Sequence, residues 1–159
     1  MQCHMIKQNI IMVPTISLKS YPSLKVACIW LFFYRWMLEK GFAGEDLLED
    51  GADLLVKIHQ ETEDYSVLDL LFDFNDGGLM DEDFNQEGAE FADAYYDDTS
   101  VFSKKYGSYL QDYSGLDLDL LEGAKEQSYY YIQFSDQNYE KVKGLLDQRY
   151  QQFLKFQEN

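Results

Sequence analysis

The middle of this chain is starved of cations. Residues 41–126 hold four basic side chains against 24 acidic ones, while residues 1–40 hold five basic and one acidic, and residues 127–159 balance at four of each. The net charge of −16 is therefore a central block and not a tail. A field of that sign repels nucleic acid and anionic membrane and speeds encounter with a basic protein; solubility alone is the plainer reason for it. Cysteine is nearly absent. Cys3 and Cys28 make a poor disulfide framework, and Cys28 sits in an apolar run where a thiol acts as a small hydrophobe. Reduced thiols point to a cytosolic, cytoplasmic protein. There is no Pro-, Ser- or Gly-rich tract to serve as a linker, so 159 residues read as one domain, residues 21–159, behind an N-terminal arm or short strand, residues 1–20. No apolar run is long enough to span a bilayer. The longest, Val26 to Tyr34, has nine residues where about 20 are needed. Gly41-Phe42-Ala43 resembles a signal-peptidase site, but Arg35, Glu39 and Lys40 intervene and argue against secretion.

What is present reads as helix. Ile10 to Val13 form a short strand ended by Pro14, or a loose arm. Residues 24–41 predict a buried core helix capped by Gly41. Glu45 to Gln60 predict a second, with Leu48, Ala52, Leu55 and Ile58 to His59 inward. Ser66 is suited to N-cap the short helix SVLDLLFDF, which the turn Asp76-Gly77-Gly78 ends. An acidic helix over about Asp83 to Tyr96 puts Phe84, Gly88, Phe91, Ala92 and Tyr95 on one face. Glu82, Asp83, Glu87, Glu90 and Asp93 then stand on the other. Residues 101–113 predict one more helix. Residues 115–127 fit an exposed strand or a helical turn equally. Residues 128–134, SYYYIQF, have the composition of a strand. The closing helix runs from about Tyr139 to Phe156. The fold class expected is mainly α: a single compact domain of five or six helices with at most a short strand or hairpin.

The chemistry-bearing residues are sparse. Asp73 to Gly78 superficially suggests a calcium loop. An EF-hand needs an oxygen ligand fifth and Glu twelfth, and this chain offers Gly77 and Phe84. His4 and His59 are the only histidines, too few and too scattered for a zinc site or a nucleophile–base set. Nothing singles out two catalytic acids among Asp112, Asp117, Asp119 and Glu122. No cofactor, no metal and no enzymatic activity are expected. The chain carries 13 Tyr and 11 Phe, and a tyrosine at an acidic rim suits a protein interface, with Tyr96, Tyr109 and Tyr113 expected to be exposed.

The run Leu79-Met-Asp-Glu-Asp-Phe-Asn-Gln-Glu-Gly88, then Phe91-Ala92 and Tyr95-Tyr96, then Tyr109-Leu-Gln-Asp112-Tyr113, resembles a group of small acidic bacterial proteins of uncharacterised function. Their pattern is approximately L-x-x-E-D-L-N-x-E-G-x-x-F-A-x-x-Y-Y followed by Y-L-x-D-Y, and the similarity spans about residues 21–155. In size and charge such proteins are similar, by analogy, to immunity proteins of bacterial toxin systems. The expectation that follows is an acidic immunity protein that occludes the active site of a basic toxin, for example a nuclease. Its partner-binding residues would be Asp83, Glu90, Asp93, Tyr96, Asp97, Asp98, Tyr109, Asp112, Tyr113, Asp117 and Asp119. The alternative expectation is a DNA mimic that blocks a nucleic-acid enzyme, with carboxylates spaced like duplex phosphates. A carboxylate-dependent hydrolase is a third, and it requires a deep pocket with two converging acids.

Overall fold

The computed structural model describes residues 11–12, 29–59, 65–76, 78–120, 132–133 and 135–159. In chain order the elements are β1 (Ile11–Met12), α1 (Ile29–Glu39), α2 (Glu45–Asp50), α3 (Ala52–His59), α4 (Val67–Asp73), β2 (Gly78–Leu79), a 3-10 turn (Asp81–Asp83), α5 (Gln86–Tyr96), α6 (Val101–Tyr106), α7 (Tyr109–Ser114) and α8 (Asp136–Gln157). The fold is mainly α, as expected. β1 and β2 pair antiparallel, Ile11 opposite Leu79 and Met12 opposite Gly78, so the expected N-terminal strand exists as a two-residue ribbon. The expected strand at 128–134 lies mostly outside the described residues, as do Cys3, His4 and Cys28; within it, Ile132 bridges Leu120.

α1 is the centre of the molecule. Leu31, Phe32, Phe33, Tyr34, Trp36 and Met37 are all buried, so the helix is apolar on nearly every side and must be enclosed by others. Eleven residues rise only about 16 Å. Among the described residues no helix is long and apolar enough to cross a membrane. Gly41, at φ +77°, ends α1 as expected. Its N–H bonds to Leu38 O and the N–H of Phe42 to Met37 O, a Schellman closure that needs a left-handed residue. α8 lies along α1 and buries the stripe Tyr139, Val142, Leu146, Tyr150 and Phe153, the side predicted for it. At its start the buried Asn138 accepts from Asp119 N and donates to Asp119 O and Gln133 O, which locks the loop that carries the Leu120–Ile132 bridge.

Several boundaries differ from expectation. The helix predicted over Glu45–Gln60 is broken at Gly51. A Cβ there would stand 2.5 Å from Leu47 Cδ1 and 3.2 Å from the Phe74 ring, so the chain turns where only glycine fits. The inner side is consequently Leu47, Gly51, Leu54, Leu55 and Ile58, while Leu48 and Ala52 face outward, contrary to the predicted pattern. The helix predicted over residues 101–113 is two, α6 and α7, separated by Gly107 at φ +109°. α5 starts at Gln86, not Asp83, because Asn85 accepts from Gly88 N as the N-cap. Ser66 caps α4 as predicted, and with Asp69 it forms a full capping box.

The core is aromatic. Phe33 meets Trp36, Phe91, Tyr96 and Tyr109, and Phe91 meets Trp36, Tyr95, Tyr150 and Phe153, so rings from α1, α5, α7 and α8 form one continuous set. Their polar tips end at the core's edge, mostly on carboxylates. Trp36 Nε1 donates to Asp147 (2.9 Å), Tyr95 to Asp112 (2.7 Å), Tyr139 to Glu39 (2.6 Å), Tyr150 to Glu87, and Tyr34 to Asn75 (2.8 Å). Asp112 is held further by Arg149 through two bonds, 2.7 and 3.0 Å.

Three expectations follow for stability. Gly88 abuts α1 and the loop after it, where a Cβ would lie 2.7 Å from Phe42 Cβ and 3.0 Å from Met37 Cε. Gly88→Ala should cost about 1–3 kcal/mol in urea unfolding. Gly144→Ala, in the open middle of α8 with nothing within 4 Å, should gain up to about 1 kcal/mol. Arg149→Met should cost roughly 3 kcal/mol, since it leaves the Asp112 carboxylate short of its cation at a half-buried seam.

Candidate protein-binding face

The acidic face is assembled by two stitched loops. Gly44 N donates to Asp83 O (2.8 Å), Ala43 bridges Phe84, and Asn85 N donates to Phe42 O (2.9 Å). Gly44 is obligatory, because a Cβ would stand 2.3 Å from Glu82 O. The stitching sets the first turn of α2, with Glu45 and Asp46, beside Glu82 and Asp83, and α5 continues the surface with Glu90, Asp93 and Asp97. From Ile58 to Ser103 the chain contains no Lys or Arg. Four described cations form ion pairs elsewhere: Arg35 with Glu39 and Asp136, Lys40 with Asp147, Lys143 with Glu39, and Arg149 with Asp112.

The two groups of carboxylates titrate in opposite directions. Asp81 is pushed up to about 6, by burial first and by the Asp93 charge second. Burial raises Asp93 too, with Asp97 adding to it. Burial raises Asp83, and Glu82 and Asp46 add to it, although bonds from Met80 N and Asn75 partly offset the rise. Glu39 and Asp147 go the other way. Burial opposes their charge, but Tyr139, Arg35 and Lys143 around Glu39, and Lys40 and Trp36 around Asp147, outweigh it and hold both below the usual carboxylate range.

The residues expected to bind a partner divide accordingly. Asp83, Glu90, Asp93, Asp97 and Asp98 lie on the 3-10 turn, α5 and the turn after it. Asp83 is partly buried and caps Met80 N, Glu90 accepts from Gln86 (2.9 Å), and Asp97 accepts from Thr99 N and Oγ1. Asp117 and Asp119 are exposed on the loop after α7, and that loop is tied to α8 through Lys141 and Asn138. Asp112 is committed to Arg149 and Tyr95. The three tyrosines were misplaced: Tyr96, Tyr109 and Tyr113 are 3%, 0% and 1% exposed, because the aromatic set around Phe33 takes them inward. Asp46 and Asp81 were missed. Asp46 joins the face only through the pairing of loops some forty residues apart, and Asp81 falls in a 3-10 turn just ahead of the helix expected from about Asp83. Among the described residues no group of three or more His, Cys, Asp or Glu has a metal-holding arrangement.

A family model described as a domain of unknown function, DUF7832, matches residues 19–130. The chain belongs to that family. The DUF7832 match takes in α1 to α7, and with them the stitched loops and the whole α2–α5 face, and stops before α8. It is narrower than the span of about residues 21–155 read from the sequence. No curated protein and no solved structure matches the chain.

The opposed shifts set a pH profile. A raised carboxyl contributes stability that is complete below its unfolded value and is lost as pH rises through its folded one. For Asp81 the loss spans about pH 4 to about 6. Glu39 and Asp147 contribute stability above their unfolded values and lose it as pH falls through their lowered folded values. Thermal unfolding scans should therefore find Tm falling as pH rises from about 4 through about 6, and falling again below about pH 4. Asp81→Asn should raise Tm at pH 7.5 and flatten the neutral limb, leaving the acid limb unchanged.

Proposed function

We propose that this chain is an acidic binding protein that neutralises a basic protein, acting as an immunity protein toward a toxin whose active site it covers. The observation that carries the reading is the row of carboxylates Asp83, Asp81 and Asp93, each raised by burial first and by a like-charged neighbour second. Folding alone favours replacing such groups, since each is destabilising when ionised at neutral pH. A cationic partner replaces the repulsion with attraction and favours the ionised form, so binding recovers part of what folding gives up. Sign and strength of the field also favour fast capture of a basic protein, with the salt sensitivity of a steered encounter. The inhibitory role draws further on the similarity in size and charge to immunity proteins.

The test uses the intact chain as bait in an extract of its own host, next to an Asp81→Asn/Asp83→Asn/Asp93→Asn variant that removes three charges, keeps side-chain size and leaves one acceptor oxygen at each position. Wild type should retain a basic protein that the variant loses, with affinity falling at least tenfold between 50 and 200 mM salt, on the order expected for a contact of several charges. That protein should arrest growth when expressed alone and cease to do so when expressed with the chain. Equal retention by both baits would remove the acidic face from the reading, and a retained partner that is harmless alone would remove the immunity role. Recovery of a nucleic-acid enzyme whose DNA displaces the chain would favour the DNA-mimic alternative.

A further inference from the structure

One apolar feature of the acidic face is left out of the core. Leu48, Ala52 and Val56 recur at i, i+4 and i+8 along α2 and α3, with Leu48 55% and Val56 52% exposed. Gly51 closes α2 through its N–H on Leu47 O and opens α3 through its carbonyl, which accepts from Leu54 and Leu55, and the three side chains stay exposed on either side of it. Glu45, Glu49 and Asp53 follow the same spacing one position on and are all exposed, forming a carboxylate row along the stripe's outer edge. On its inner edge Leu55 lines a cleft of about 280 Å³ with Leu38, Ile58, Tyr65 and Val67, and the paired Arg35 and Glu39 line it too. That volume falls below the range of about 300–1,000 Å³ usual for small-molecule pockets, and it suits a single inserted side chain.

Resting on the reading of this chain as an acidic binding protein, we infer that the α2–α3 stripe receives a basic amphipathic helix of the partner. The partner's apolar side lies along Leu48, Ala52 and Val56, one large aliphatic or aromatic side chain enters the cleft, and its Lys and Arg residues meet Glu45, Glu49 and Asp53. Spacing at i, i+4 and i+8 over two helical turns matches the anchor spacing of a helix docked on a groove. The charge row decides the occupant: a cationic helix is matched by the carboxylates beside Leu48 and Ala52, while the exposed Lys57 beside Val56 lies over the Tyr65 ring. A second copy of this chain, packed on the same patch by two-fold symmetry, would set like carboxylates against each other. Because Asp46 of α2 also raises Asp83, the docked helix and the carboxylates of the 3-10 turn share one continuous field.

The decisive measurement is isothermal titration at 150 mM salt with two synthetic 18-residue peptides of leucine and lysine. One is ordered to give an apolar helical face, and the other has the same composition scrambled so that no face forms. Wild type should bind the amphipathic peptide at least tenfold tighter than the scrambled one, and Leu48→Ser/Val56→Ser should abolish that preference with Tm unchanged, since both side chains face solvent. The Asp81→Asn/Asp93→Asn variant should weaken both peptides alike. Equal binding of the two peptides by wild type, or a preference that survives Leu48→Ser/Val56→Ser, overturns the docking stripe and leaves the acidic-binder reading standing. Failure of wild type to bind either peptide removes that broader reading as well. A concentration-dependent dimer in sedimentation that Leu48→Ser/Val56→Ser dissolves would assign the stripe to a second copy and overturn the inference.

Discussion

Burying tyrosine is the constraint on which this architecture depends. A phenol ring contributes as much apolar area as phenylalanine, but its hydroxyl must find an acceptor or forfeit much of that gain. Here the rings of α1, α5 and α8 fill the centre, and their tips emerge where a carboxylate of another helix waits: Tyr95 on Asp112, Tyr139 on Glu39, Tyr150 on Glu87, with Trp36 on Asp147. Each such bond joins two helices, so the direction of a ring and the relative placement of two elements are decided together. Three of these acceptors, Glu39, Asp112 and Asp147, are neutralised in turn by Arg or Lys. Rings, acids and cations thus form layers from the inside outward on the α1–α8 side.

That arrangement explains why net charge alone misdescribes the molecule. Part of its acid is structural, consumed by phenols, an indole and ion pairs. Another part lies on α2, the 3-10 turn and α5, where burial first and neighbours of like sign second raise Asp81, Asp83 and Asp93. The same chemical group lowers the free energy of the fold at one side and raises it at the other. The second population needs a reason outside folding, and a cationic partner supplies one.

Much of the fold was legible in the sequence because it is written locally. The enclosed helix α1 follows from an unbroken apolar run between charges, its end from Gly41, the start of α4 from Ser66, and the packed side of α8 from its 3.6-residue rhythm. What escaped depends on contacts between distant segments. Gly51 and Gly107 look like tolerable helical glycines until Phe74 and Asp112 are placed against them. The orientation of Leu48 depends on which flank of α2 meets the 3-10 turn. Tyr96, Tyr109 and Tyr113 were assigned outward because their sequence neighbours are acidic, whereas their spatial neighbours are Phe33 and one another. For the site, the sign of the surface was legible and its membership was not, since Asp46 reaches Asp83 only across the loop pairing at Gly44.

The hydrogen bond from Trp36 to Asp147 spans 111 positions. Its kinetic meaning is distinct from its strength. The innermost helix has as its longest neighbour the segment furthest along the chain, so the nucleus that encloses α1 needs a very large loop to close first, at an entropic cost that local helix formation cannot offset. Until α8 arrives, an apolar rod bearing Phe32, Phe33 and Trp36 stays open to water. During that interval the polypeptide depends on its surplus of like charge, which keeps one half-assembled molecule away from another.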